Sequence, residues 1–73
     1  MIRIRFNQLL DEKSFKERRR IALDEVAART HVSKTTLRRI SHVHGYNTNI
    51  ATIDALCEYF DCEPADLLVR VKS

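Results

Sequence analysis

Residues 33–42 hold several side chains that can donate hydrogen bonds, and they contain no carboxylate. Arginine can bind the edge of a guanine through two parallel hydrogen bonds, and threonine can bond to a base edge or contact a thymine methyl group. Lysine and arginine also neutralise backbone phosphates. This segment therefore suits recognition of double-stranded DNA, although an ordinary helical hairpin with a polar outer face would contain similar residues.

The hydrophobic pattern of the same segment predicts a helix that would present these donors. Leu37 and Ile40 are three residues apart, and Ser33 before them is of a type favoured at helix N-caps. If both apolar side chains face the core, the donors face outward, because three or four residues complete a helical turn. The outward positions are Thr35, Arg38, Arg39 and His42, with Lys34 beside them.

A shorter helical pattern precedes this segment and would support it. Its apolar stripe consists of Leu23, Val26 and Ala27. Asp24 and Glu25 lie in its first turn, where acids suit the helix dipole, and His31 follows at a sharp turn. This is the spacing of a helix-turn-helix, whose second helix can enter the major groove of DNA.

The rest of the chain predicts three more helices. One amphipathic stretch begins at Phe6 and extends as far as Phe15, and Pro64 suits the first position of a short helix that contains Leu67 and Leu68. The clearest apolar stripe comprises Ile50, Ile53, Leu56, Cys57 and Phe60. We therefore expect a mainly α-helical fold of five helices in a single domain, residues 1–73.

Strict alternation of apolar and charged residues predicts a short β-strand at each end of the chain. Two lone strands need each other, so we expect the N-terminal and C-terminal strands to pair. The residues expected to face inward are Ile2, Ile4, Val69 and Val71. The residues expected to share a solvated outer face are Arg3, Arg5, Arg70 and Lys72.

Composition and charge narrow the classes of function. The 73 residues carry a net charge of +3, but residues 1–45 hold 11 of the 13 basic residues and only 5 of the 10 acids. Such an excess of positive charge in residues 1–45 is typical of proteins that bind polyanions such as nucleic acids. The chain has no apolar run long enough to span a membrane and no block resembling a secretory signal. We therefore expect a cytoplasmic, nucleoid-associated protein.

The sequence shows no arrangement typical of an enzyme. It has no glycine-rich phosphate loop, no paired carboxylates and no recognisable nucleophile arrangement. Cys57 belongs to an apolar stripe, and its spacing from Cys62 is wider than in common zinc sites, so we expect reduced thiols and no metal ion. We also expect no cofactor and no small-molecule ligand.

Several apolar residues and helix-starting residues, spread over nearly the whole chain, occur in the order and spacing of a known family. They are Leu9–Leu10, Val26–Ala27, Val32–Ser33, Leu37, Ile40, Leu56–Cys57 and Asp66–Leu68. In this set the chain resembles the lambda-repressor-like, Cro-type helix-turn-helix regulators of the xenobiotic-response-element family, especially their short single-domain members. The resemblance implies sequence-specific binding of double-stranded DNA, as a homodimer on a two-fold site, to regulate transcription.

The resemblance also implies roles for individual residues. The positions that resemble base-reading residues are Lys34, Thr35 and Arg39. The positions that resemble helix-cap or DNA-backbone contacts are Ser33, Thr36 and Arg38. Two local departures accompany the match: His31 stands where the family usually has Gly, and Ala22–Leu23 stand where it usually has Thr-Gln, whose Gln holds a phosphate.

A third departure is an insertion around residues 14–20 relative to the short loop usual between helices. Our hypothesis is that three consecutive arginines replace the missing phosphate contact; they are Arg18, Arg19 and Arg20. The alternative is a solvated charge run in which Phe15 is a small hydrophobic anchor.

The loop after the third helix offers more polar groups. Gly45 permits an unusual backbone turn, and Tyr46 and Asn47 can bond to phosphate or sugar. Tyr46 suits packing of the loop onto the core equally well.

Together these features favour a small transcriptional regulator, a repressor or autoregulator that acts by occupying DNA. The competing interpretation is an antitoxin-like or other protein-interaction module in which DNA binding is secondary. In that case the helix over residues 53–60 would present surplus apolar surface to a partner.

Overall fold

The computed structural model describes residues 1–43 and 46–72 and shows a mainly helical fold. In chain order the elements are β1 (Ile2–Ile4), α1 (Phe6–Glu17), α2 (Leu23–Thr30), α3 (Lys34–His42), α4 (Ile50–Phe60), α5 (Pro64–Leu67) and β2 (Leu68–Arg70). The predicted five helices and paired terminal strands are confirmed. The turn predicted at Gly45 lies outside the described residues. None of the described helices is both long and apolar enough to cross a membrane.

The buried apolar side chains come from all five helices and form one core cluster. Its members are Phe6, Ile21, Val26, Leu37, Ile40, Ile53, Leu56, Cys57 and Leu67. The Phe6 ring meets the Phe60 ring edge-on, with 5.8 Å between their centroids, a favourable aromatic geometry. Cys57 is buried here, as predicted. Because α2 and α3 both contribute to the core, the helix-turn-helix is held against the other helices.

Capping residues mark both ends of α4 and the start of α5. The side chain of Asn49 accepts a backbone N–H from the first turn of α4, and α4 ends at Asp61, which has φ 53°. Aspartate tolerates this left-handed conformation better than most residues. Pro64 begins α5, as predicted, and Asp66 Oδ2 accepts the Glu63 backbone N–H at 3.1 Å.

The terminal strands pair antiparallel, but β2 presents its faces differently from the prediction. The register sets Ile2 opposite Arg70, Arg3 opposite Val69, and Ile4 opposite Leu68. Residues directly opposite share a face, so Leu68 packs inward with Ile4 while Val69, 40% exposed, lies on the other face with Arg3. The predicted inward position of Val69 and the predicted common face of Arg3 and Arg70 were therefore wrong.

The reason for this difference lies at the end of α5. Leu67 is fully buried and is the last residue of that helix, so β2 begins at Leu68, which the sequence analysis had assigned to the helix. Side chains alternate faces along a strand, and an inward Leu68 turns Val69 outward.

Two large apolar residues are exposed: Phe15, a hydrophobic anchor in the alternative interpretation of the arginine run, and Ile50, from the predicted stripe of α4. Phe15 is 87% exposed because it lies nine residues after the buried Phe6, about two and a half helical turns, and so on the opposite side of α1. It is not a hydrophobic anchor. Ile50 is 82% exposed because it is the first residue of α4, beyond the part of that helix that the core covers. The inward stripe of α4 begins at Ile53.

Candidate nucleic-acid interface

A left-handed residue and a buried threonine build the turn between α2 and α3. His31 has φ 62°, and its backbone N–H donates to the Ala27 carbonyl at 2.9 Å. The buried Thr30 hydroxyl donates to the Val26 carbonyl at 2.7 Å and accepts the Val32 N–H at 3.2 Å. The predicted turn at His31 is confirmed. The sequence did not indicate this role of Thr30, because a hydroxyl that bonds to backbone groups leaves no sign in the pattern of apolar residues.

Ser33 begins α3, as its residue type predicts. Its Oγ accepts the Thr36 backbone N–H at 3.1 Å and lies 2.8 Å from the Thr36 hydroxyl. No acid lies in the first turn of α3, so no side chain there neutralises the positive end of the helix dipole. Such an N-terminus attracts anions, including phosphate.

The two faces of α3 differ sharply in character. Leu37 and Ile40 are buried in the core, and this fixes the rotation of the helix about its axis. The exposed residues are Lys34, Thr35, Arg38, Arg39 and His42. The predicted outward face is therefore confirmed, and it carries three cations and no carboxylate.

Lys34 has an intramolecular partner that the sequence analysis did not anticipate. Its Nζ lies 2.8 Å from Asp24 Oδ1 in the first turn of α2, and the two side chains are 47% and 75% exposed. Exposed ion pairs contribute at most about 1 kcal/mol, so a phosphate or a base edge can replace this carboxylate. The pair holds Lys34 near the start of both helices of the motif.

The three consecutive arginines have different surroundings. The Arg19 guanidinium makes two hydrogen bonds to the Glu25 carboxylate, at 2.7 and 2.6 Å, and a third to Glu17 at 3.1 Å. These bonds connect the end of α1 to the first turn of α2, and the bonds from Arg19 lower the pKa of Glu25 below its ordinary value. Arg18 is the left-handed C-cap of α1, and both Arg18 and Arg20 are exposed with no ion pair among the described residues.

The end of α3 is tied to the start of α1 by a bond that the sequence did not suggest. Asn7 Nδ2 donates to the Ser41 carbonyl at 2.8 Å. Beside this bond lies a cavity of about 420 Å³ whose lining includes Arg3, Arg5 and His42, and no acid lines it within the described part of the chain. The tertiary structure thus brings N-terminal basic residues next to the end of α3, which no local pattern in the sequence could indicate.

Tyr46 and Asn47, which follow one another in the loop before α4, differ in burial. Tyr46 is half-buried and packs against the core, as one of its two interpretations required, whereas Asn47 is exposed. Both residues line a shallow depression together with Thr36 and Thr52, so the structure brings three of the predicted contact residues onto one polar surface.

The two cysteines are free thiols near the end of α4. Burial raises the pKa of Cys57 and raises that of Cys62 to about 11, so both stay protonated at neutral pH. Within residues 1–43 and 46–72, no three His, Cys, Asp or Glu side chains are arranged to hold a metal ion.

Comparison with known proteins agrees with this geometry. A search of curated proteins gives no significant match. The family model of the Cro/C1-type HTH DNA-binding domain matches residues 5–73, a range that includes every helix and β2. With a capped α3 set against α2 across a left-handed turn, and with this match over nearly the whole chain, the protein belongs to the Cro/C1-type helix-turn-helix DNA-binding family.

Proposed function

We propose that residues 1–73 act as one DNA-binding domain of a sequence-specific transcriptional regulator, a repressor or autoregulator in the nucleoid that binds its operator as a homodimer. Membership of the family supports double-stranded DNA as the partner. The observation that carries the finer proposal is the acid-free exposed face of α3, which the buried Leu37 and Ile40 hold in a fixed orientation.

In this proposal α3 lies in the major groove and three side chains read bases. Arg39 has the geometry to bond to one guanine through two donors, and Thr35 bonds to a base edge or contacts a thymine methyl group. Lys34 exchanges its bond to Asp24 for a base or phosphate oxygen. That exchange is easy because both partners are already exposed to water.

Phosphate contacts would hold the protein in register on the duplex. We assign them to groups on α3, between α1 and α2, and in the loop before α4. Arg19 is left to its two carboxylates and Tyr46 to its packing against the core. The assigned side chains are Arg18, Arg20, Arg38 and Asn47, together with the cap formed by Ser33 and Thr36. A protein bound in this way across a promoter represses by excluding the polymerase.

The test is selection of bound sequences from a random double-stranded DNA pool at about 150 mM salt, where non-specific binding is weakened. The expected result is a two-fold symmetric motif whose half-sites lie about one helical turn apart. A variant with Thr35→Ala and Arg39→Ala, run in parallel, should enrich a weaker or altered motif. Retention of DNA with no enriched motif would contradict the proposal.

Replacing Arg18 and Arg20 by alanine should reduce the salt dependence of DNA binding. Each phosphate contact contributes about 0.9 to the slope of log K against log salt, so the double variant should lose about 2 from that slope. Arg19→Ala is the matched control: its guanidinium bonds to Glu17 and Glu25, and its slope should match that of the unmodified protein. An unaltered slope in the double variant would exclude the phosphate contacts.

A further inference from the structure

A groove of about 700 Å³ lies along α4 and α5, outside the proposed DNA interface. Its apolar lining includes Ile50, Ile53, Cys57 and Leu68. None of its lining residues comes from α2 or α3. The DNA-reading surface therefore does not account for it.

Among the residues that the structure describes, every charged residue that lines this groove is acidic. They are Asp54, Glu58, Asp61, Glu63 and Asp66. The ion pairs found within residues 1–43 and 46–72 all use carboxylates of α1 and α2, so none of these five acids has a cationic partner there. The groove thus combines an apolar floor with carboxylates that are not neutralised.

The helix that forms the groove adds to its negative potential. The C-terminus of α4 carries the negative end of the helix dipole, and α4 has no basic residue in its last turn. Asp61 and Cys62 at that terminus both line the groove. A cation from outside the described chain would therefore be favoured here.

Ile50, Ile53 and Leu68 line both this groove and a second one. The second groove, of about 440 Å³, is also lined by Met1 and Ile2 from the terminal strand region and by Asn47, which the proposed function assigns to the DNA backbone. The side chains of Ile50, Met1 and Ile2 are at least half exposed, and Ile50 is 82% exposed. Clustered exposed apolar side chains of this kind mark interaction sites.

We infer that this face binds a basic amphipathic helix of another protein. Apolar side chains on one side of that helix would enter the groove beside Ile50, and lysines or arginines along its edges would meet the five carboxylates. Charge decides against two other occupants. DNA phosphates would be repelled, and a second copy docked groove to groove across a two-fold axis would set the same acids against one another.

The test uses a fluorescently labelled synthetic peptide of leucine and lysine, with the leucines at helical spacing, and measures anisotropy without DNA. Ile50→Ser should weaken binding about tenfold or more, because the peptide can no longer bury that side chain. The double variant Glu58→Gln with Glu63→Gln should weaken binding several-fold. A matched control, Asp11→Asn with Glu12→Gln, removes two exposed acids of α1 outside the groove and should leave the affinity unaltered.

Three results would overturn the inference. The first is absence of peptide binding, and the second is equal binding to a peptide of the same composition with its leucines out of helical register. The third is sedimentation that shows a homodimer dissociating in Ile50→Ser, which would assign the face to a second copy. Because the peptide experiment contains no DNA, its outcome is independent of the regulator function proposed above.

Discussion

Replacing Arg39 by alanine is expected to weaken binding to the selected DNA motif by roughly tenfold to a hundredfold, the value of one good bidentate contact to a base. Arg39 is exposed on the face of α3 opposite the buried Leu37 and Ile40, so its removal should leave the fold intact. The measurement is equilibrium binding at fixed salt to two duplexes of equal length, one carrying the motif and one with the motif scrambled. Affinity for the scrambled duplex should fall much less.

The control for this experiment removes an equal charge elsewhere. Arg70 is exposed on β2, where it lies opposite Ile2, and it belongs to no helix of the motif. Arg70→Ala should alter binding to both duplexes slightly and to the same degree. If Arg39→Ala instead lowered both affinities equally, Arg39 would be a phosphate contact and the assignment of base reading would fail.

Replacing Phe6 by alanine is expected to unfold a large fraction of the protein. Phe6 is fully buried and packs edge-on against Phe60. Replacing a buried phenylalanine by alanine lowers the free energy of unfolding by about 3–5 kcal/mol. The least stable native domains have a total free energy of unfolding of only about 5 kcal/mol. Circular dichroism during heating should show a fall in the melting temperature of at least about 12 °C.

The same substitution on the opposite face of α1 provides the control. Phe15 is 87% exposed, so Phe15→Ala should alter the free energy of unfolding by no more than about 0.5 kcal/mol. Urea titration of both variants measures the two free energies directly. Similar destabilisation by the two substitutions would contradict the orientation of α1 described here.

Much of this architecture could be predicted from the sequence because it depends on local patterns. The spacing of Leu37 and Ile40 predicted which face of α3 is exposed, and Ser33 predicted where that helix begins. His31 at the turn and Pro64 at the start of α5 followed from the backbone conformations that these residue types tolerate. Such features concern residues within one or two helical turns of each other, so the chain order is sufficient to find them.

The errors occurred where a residue's surroundings depend on distant segments. Phe15 lies in the predicted amphipathic stretch of α1 but faces away from the core, and Ile50 belongs to the predicted apolar stripe of α4 but is exposed. The strand faces were reversed because the burial of Leu67, set by contacts with other helices, determines where β2 begins. In each case the local pattern was compatible with both a buried and an exposed position for the residue.

The sequence by itself determined the five helices, the helix-turn-helix with its outward basic face, and the polarity between a basic and an acidic half of the chain. Only the tertiary structure decided the partners of the long charged side chains. Arg19 bonds to Glu25, and Lys34 bonds to Asp24. The acids that line the groove along α4 and α5 have no cationic partner among the described residues. The physical reason is the distance along the chain over which each interaction acts. Helix formation depends on residues close together in sequence, whereas an ion pair or a groove depends on which distant elements the core brings together.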